Sequence, residues 1–283
     1  MTIIHTVAGL RAHLEDVRGH SIGFVPTMGA LHEGHLSLLR AARAENDVVV
    51  LSIFVNPAQF DDPSDLAAYP RTIEHDVELA RSVGVDVVFA PDVDEVYPDG
   101  FATSVSVRGL VAETLEGARR GAGHFDGVAT VVTKLLMAVL PRVAYFGAKD
   151  AQQVAVVRRL VVDLGIPVRI AVCPTSRDDD GLARSSRNTR LSPEERDRAL
   201  SIPRALAAVE TAVAAGETDA AALRSRATDI LGEGGTAPEY VAFVDPLTFV
   251  PAPVLERPVL MAIAARVGAI RLIDNTVLTP GGR

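Results

Sequence analysis

The chain has 283 residues, 48% of them hydrophobic and 23% charged, the balance of an ordinary globular protein with room for one large or two modest cores. A net charge of −8 leaves no basic excess to neutralise a nucleic-acid backbone, and no uninterrupted apolar stretch approaches the ~20 residues of a membrane span. The lone cysteine, Cys173, excludes an intrachain disulfide; with no signal-peptide pattern at the start, the expected compartment is the cytoplasm.

The apolar run 22–25 reads as a buried strand that Pro26 and Gly29 break, and a helical pattern (Leu36, Leu38, Leu39, Ala42) begins near Gly34. His32 and His35 therefore fall where a strand hands over to a helix N-terminus. Free N–H groups and the positive end of the helix dipole attract anions there. Two imidazoles in that spot can donate hydrogen bonds to phosphate oxygens, and one could pass a proton. His-Glu-Gly-His is not the His-Glu-x-x-His zinc pattern, whose ligands lie one helical turn apart.

Residues 48–55 form a continuous apolar run closed by Asn56-Pro57, the pattern of a strand buried on both faces. Asn56 and Gln59 place two neutral amides at its carboxyl end, suited to orienting a small polar substrate. A helix is expected over 72–83, with Asp76 and Glu78 on a solvated face, and a strand over 85–90. His124-Phe125 lies in a Gly-rich stretch, 121–127, that reads as a structural loop, with a mobile flap as the alternative. A long apolar helix over 127–140, a strand over 143–147, a helix over 150–164 and a strand over 168–173 follow. Lys149-Asp150 at a helix start pairs a cation for phosphates with a carboxylate suited to Mg²⁺. Gln153 lies one turn on. Such alternation implies a parallel sheet covered by helices, with ligands outside the carboxyl ends of the strands. The G-x-G-x-x-G fingerprint of a dinucleotide site is missing.

Composition changes after Pro174. A polar loop, 177–181, leads to Ser185-Ser186-Arg187-Asn188, whose hydroxyls and guanidinium could clamp an anion. No Gly-x-Ser-x-Gly elbow marks either serine as a nucleophile. Ser192-Pro193-Glu194-Glu195 opens a helix in capping style. An Ala-rich helical region runs to about Leu231, broken at Gly216. Runs over 240–244, 259–267 and 270–278 read as a small antiparallel sheet. The expected division is 1–174 and 175–283. Taken together, these motifs ask for a triphosphate, a divalent metal and a small polar co-substrate.

The chain resembles the pantoate–beta-alanine ligase (pantothenate synthetase) family of the His-x-Gly-His nucleotidyltransferase superfamily. The likeness rests on 25–35, 52–60, Tyr69-Pro70-Arg71-Thr72, 146–153, 181–188 and Arg271-Leu272-Ile273-Asp274-Asn275. It implies a Rossmann-like domain over 1–174 that binds ATP and pantoate, a smaller α+β lid domain over 175–283, and a homodimer. It also implies a two-step reaction. Pantoate carboxylate attacks the α-phosphate of Mg·ATP to give pantoyl adenylate and pyrophosphate, and the amine of beta-alanine then displaces AMP. Carried over by position, Met28, Gly29, His32, Gly34 and His35 would hold ATP, with His35 the proton donor. Gly147, Ala148, Lys149 and Asp150 would also hold ATP, Lys149 on the phosphates and Asp150 near Mg²⁺. Ser176, Arg184, Ser185, Ser186 and Arg187 would complete the nucleotide site. His32, His35, Lys149 and Arg187 are the expected catalytic set. Gln59 and Gln153 would bind pantoate, and Gln59 beta-alanine as well.

Four positions depart from the family pattern: Ala148 where Glu is usual, Ala151 where an aromatic is usual, Arg184 where Met or Leu is usual, and one extra residue near 121–124. These leave two other readings in view: a non-catalytic nucleotide-binding paralogue, or another nucleotidyltransferase of the same fold.

Overall fold

The computed structural model describes residues 1–60 and 63–281. Two compact units emerge, one made of 1–147 and 156–174, the other of 148–155 and 175 onward. The segment 148–155 thus groups with the second unit, although it precedes the 174/175 boundary in sequence.

The first unit opens with β1 (Thr2–Ile4) and α1 (Val7–Glu15), then β2 (Ile22–Thr27), α2 (Glu33–Glu45) and β3 (Val48–Ile53). Helices α3 (Pro63–Ala67) and α4 (Ile73–Ser82) lead to β4 (Val87–Phe89). Three short helices, α5 (Val93–Val96), α6 (Leu110–Glu113) and α7 (Leu115–Arg120), precede the long α8 (Ala122–Val139) and β5 (Val143–Gly147). After α9 (Ala151–Asp163), β6 (Arg169–Cys173) completes a six-stranded sheet of order β1-β4-β3-β2-β5-β6. Every strand pair in it is parallel. The sequence therefore reads correctly as a Rossmann-like α/β fold: Val49, Val50 and Leu51 of β3 are fully buried because helices cover both faces.

Strand order decides where a ligand can sit. From β2 the chain steps outward through β3 and β4, and β5 and β6 lie on β2's other side. The switch point falls between β2 and β5, which pair at Gly23 with Val143 and Phe24 with Ala144. In open parallel sheets the binding crevice forms at the carboxyl ends of the strands flanking such a point. β2 ends at Thr27 and runs directly into the two-histidine segment; β5 ends at Gly147.

The second unit contains α10 (Pro193–Ala199), α11 (Ser201–Ala214), α12 (Ala220–Glu233) and the strands β7 (Ala237–Val244), β8 (Val259–Val267) and β9 (Ile270–Leu278). The strands form the expected antiparallel sheet, β7-β8-β9. Ile202, Leu206 and Val209 of α11, Leu223 and Leu231 of α12, and Met261 and Ile263 of β8 share one apolar core. At the start of α10, Ser192 and Glu195 exchange the capping-box hydrogen bonds their spacing predicts.

Two sequence readings are corrected. The stretch around His124-Phe125 is the first turn of α8, not a loop or flap: His124 and Phe125 are buried, and His124 Nδ1 lies 2.8 Å from the Gln59 carbonyl. Asp76 does not lie on a solvated face of α4; it is 1% exposed. Glu78 is exposed as expected. Among the described residues no helix is long and apolar enough to cross a membrane.

Candidate active site

In the first unit, the chain leaves β2 through a turn that ordinary residues resist. Gly29 has φ +81°, and Ala30 follows at φ +50°, the left-handed region where a Cβ crowds the backbone. The buried Asp76 carboxylate holds this turn. Its Oδ2 accepts Ala30 N–H at 2.9 Å, and its Oδ1 accepts Leu31 N–H at 2.7 Å and the Thr72 hydroxyl at 3.3 Å. A Cβ added at Gly29 would sit 2.9 Å from Asp76 Oδ2, so glycine meets both the dihedral and the close approach. Thr72 closes the Tyr69-Pro70-Arg71-Thr72 motif, and this brace gives that motif a structural purpose.

The turn delivers His32 to the N-cap of α2 and His35 to its first turn. The two imidazoles cap the helix reciprocally: Gly34 N–H donates to His32 Nδ1 at 3.1 Å, and His32 N–H donates to His35 Nδ1 at 3.3 Å. The rings lie 4.2 Å apart, centroid to centroid. A nitrogen that accepts a backbone N–H keeps its lone pair, so each neutral ring carries its proton on Nε2. Both rings thereby become Nε2–H donors at a helix N-terminus, where an anion is already favoured. Met28, Gly34 and both histidines are half-buried.

The strand-end amides form a second cluster in this unit. Asn56, 1% exposed, caps the short 3₁₀ turn Pro57–Gln59 and donates to Gln59 Oε1 and the Gly127 carbonyl, each at 3.1 Å. α8 passes close enough that a Cβ at Gly127 would meet the Ala58 carbonyl oxygen at 2.2 Å. Glycine is obligatory there for contact, not for its dihedral.

In the second unit, Ala148–Asp150 makes one 3₁₀ turn before α9. Lys149 and Gln153 are half-buried and Asp150 is exposed. The turn is anchored by β9: Asn275 Nδ2 donates to the Ala148 carbonyl at 3.0 Å and the Lys149 carbonyl at 2.7 Å. Its neighbour Asp274, its side chain 2% exposed, receives Arg177 in a two-point pair at 2.7 and 3.1 Å. Arg177 also donates to the Gly181 carbonyl at 3.0 Å, which fixes the hairpin over 177–183. One strand of this unit thus positions both the Lys149 turn and the loop carrying Ser176. Asn275→Ala is expected to lower stability by about 2 kcal/mol, two net hydrogen bonds at ~1 kcal/mol each, read as a shift in the urea midpoint at constant slope.

The departures from the family pattern find local settings. Ala148 is held through its carbonyl, so the missing carboxylate does not loosen the turn. Arg184 donates from Nε to the Arg177 carbonyl at 3.0 Å and faces Asp178 at 3.2 Å; its N–H bonds the Ser176 carbonyl at 2.9 Å. Asp178 and Asp180 are further shared with Arg196 at 2.9 and 2.8 Å. Ser185 caps the 3₁₀ helix Ser186–Arg190 through the Arg187 N–H at 3.3 Å, and Arg187 is exposed. Among the described residues no three His, Cys, Asp or Glu side chains gather into a metal cage. Burial pushes the Cys173 thiol above its ordinary range, with Glu45 adding to the rise, away from the thiolate a reactive cysteine needs.

Sequence reasoning missed Asp76 and Asp274 as working parts of these clusters. Asp274-Asn275 stood inside a recognised motif without an assigned task.

The comparisons with known proteins agree with one another. The family model for pantoate-beta-alanine ligase matches residues 2–277. The pantothenate synthetase of Moorella thermoacetica is 52% identical over 281 residues, 98% of this chain and 99% of that protein. The crystal structure of pantothenate synthetase from Thermus thermophilus superposes with a TM-score of 0.93 at 46% identity, covering 99% of this chain and 100% of that one. The pantoate-beta-alanine ligase of Francisella tularensis, solved in complex with beta-gamma ATP and beta-alanine, gives 0.82 at 36% identity over 98% of this chain and 97% of that one.

Proposed function

Because the chain belongs to the pantoate–beta-alanine ligase family and is an ATP-dependent ligase that joins pantoate to beta-alanine, we propose how its residues divide that reaction. The observation that carries the assignment is the reciprocal cap of His32 and His35, which engages both Nδ1 atoms at a helix N-terminus and so keeps the proton of each neutral ring on Nε2.

In the first step a pantoate carboxylate oxygen attacks the α-phosphorus of ATP, and the bond to pyrophosphate breaks. Charge builds on the α-phosphate and the departing group, so fixed donors there lower the barrier. His32 and His35 supply two, with His35 donating its Nε2–H as a hydrogen bond toward the leaving oxygen. Lys149 and Arg187 supply cations. Met28, Gly29, Gly34, Gly147, Ala148, Ser176, Arg184, Ser185 and Ser186 line the rest of the nucleotide. Gln59 and Gln153 hold pantoate, and Gln59 also faces beta-alanine. In the second step the beta-alanine amine attacks the acyl carbon of pantoyl adenylate; the new C–N bond replaces the C–O bond to AMP, and the amine sheds a proton. Domain 1–174 would carry ATP and pantoate, and 175–283 would serve as a lid that keeps water from the anhydride.

Magnesium enters as Mg·ATP. A hydrated Mg²⁺ riding on phosphates needs only one or two carboxylates from the protein, and the exposed Asp150 suits that need. The family resemblance supports a homodimer, and the single, unpaired Cys173 suits a cytoplasmic enzyme.

The test is pyrophosphate release from Mg·ATP and pantoate, with and without beta-alanine. Pyrophosphate should appear with pantoate alone, while pantothenate and AMP should require beta-alanine. Folded protein that binds ATP and shows no pantoate-dependent release would overturn the assignment in favour of a non-catalytic paralogue.

A further inference from the structure

The segment Val96-Tyr97-Pro98-Asp99-Gly100 has no part in the roles above, yet its tyrosine joins the amide cluster. Tyr97 Oη donates to Asn56 Oδ1 at 2.7 Å, and Ala58 N–H donates to the same oxygen at 3.2 Å. With two donors fixed on Oδ1, the Asn56 amide can turn only its Nδ2 toward Gln59 Oε1 and the Gly127 carbonyl. The Gln59 oxygen is then engaged by Asn56, so Gln59 faces Asn56 as an acceptor and keeps its NH₂ as its donor end. We propose that Tyr97 is a positioning residue for substrate: through Asn56 it holds the Gln59 amide as a donor toward a carboxylate or hydroxyl. A carboxylate only accepts; an inverted Gln59 would aim its own oxygen at the anion.

Three features suit Tyr97 to this role. Its ring packs against Phe54 at 6.2 Å and Phe101 at 5.1 Å, centroid to centroid, which fixes the hydroxyl in place. Burial pushes its pKa up to about 12, so the hydroxyl stays a protonated donor wherever the enzyme works. Asn56 is buried and spends all of its amide capacity within this network, leaving it to orient Gln59 rather than roam.

The inference rests on Gln59 binding pantoate, and a double-mutant cycle separates the two claims. Tyr97→Phe keeps the ring and removes one hydrogen bond; it should raise the pantoate KM about three- to tenfold while the ATP KM stays within twofold. In a Gln59→Ala background the same substitution should change pantoate use less than twofold, because the side chain it acts through is gone. Where turnover of the double variant is too slow, calorimetric pantoate affinity supplies the same comparison. An equal effect of Tyr97→Phe in both backgrounds, or none in the parent, would overturn the relay. A Gln59→Ala enzyme with an unchanged pantoate KM would instead overturn the pantoate assignment of Gln59 itself.

Discussion

His35→Ala is expected to cut pantoate-dependent pyrophosphate release by about a thousandfold, the range in which one positioned proton donor or transition-state hydrogen bond is usually worth 10²–10⁴ in rate. Two losses are folded into that number. The Nε2–H donor disappears, and so does the Nδ1 acceptor that receives His32 N–H at 3.3 Å. The second loss removes the return bond of the reciprocal cap on α2 and should cost about 1 kcal/mol of stability. It also loosens His32, whose ring packs against His35 at 4.2 Å. His35→Gln separates the two. A Gln at this helix position can reach back to the N-cap N–H in the manner of a capping box, so it should restore the thermal midpoint. With its amide oxygen spent on that cap, it does not place an N–H where the imidazole Nε2–H sits, so turnover should stay within about tenfold of His35→Ala. Recovery of turnover by His35→Gln to near the parent rate would reduce His35 to a helix cap. ATP affinity, measured by calorimetry, should fall less than turnover, because donors aimed at the breaking bond act chiefly in the transition state.

The site's skeleton was legible where local chemistry dictates it. Pro26 does not break β2, which continues through it to Thr27 beside Ile53; the turn comes at Gly29, the periodic leucines of α2 start at Leu36, and the histidines between them can only sit at the junction. The same holds for Asn56-Pro57 after β3 and Ser192-Pro193 before α10. What stayed hidden depends on contacts far apart in sequence. Glu74, Asp76 and Glu78 look alike on one acidic helix; only the turn 45 residues earlier, bonded to Asp76 through Leu31 N–H, decides that this carboxylate is buried. His124 sits among glycines that disfavour a helix, yet its contact with the Gln59 carbonyl and the packing of Phe125 override that local preference. Residues 148–155 follow a strand of the first unit, but Asn275, more than a hundred residues on, ties their turn to β9. β1, three residues long, carries too little pattern to be read before its pairing with β4 is known.

The second large effect is expected at a residue that touches no substrate in the proposed reaction. Asp76→Asn should lower kcat/KM for ATP by a hundredfold or more, though the sheet remains. A carboxylate offers acceptors on both oxygens, and Asp76 uses both: Oδ2 for Ala30 N–H, Oδ1 for Leu31 N–H and the Thr72 hydroxyl. Asparagine of the same shape must face one backbone N–H with its own NH₂. One charge-assisted hydrogen bond is lost and a donor–donor contact replaces it, about 3 kcal/mol together. The turn has little margin to absorb this, since Ala30 at φ +50° already costs about 1–2 kcal/mol. Relaxation of Ala30 toward ordinary dihedrals would swing His32 and His35 off the helix start, and the anion site with them. Thermal unfolding should shift by about 6–12 °C, at ~2–4 °C per kcal/mol for a unit of this size. A second substitution distinguishes brace from bulk stability. Ala30→Gly removes the left-handed strain, so in the Asp76→Asn background it should restore part of the ATP kcat/KM without restoring the lost hydrogen bond. An Asp76→Asn enzyme with a parental ATP KM would mean that α2 and its histidine pair hold the turn unaided. Rescue by Ala30→Gly would place the cost at one backbone dihedral, set 46 residues away in sequence from the carboxylate that maintains it.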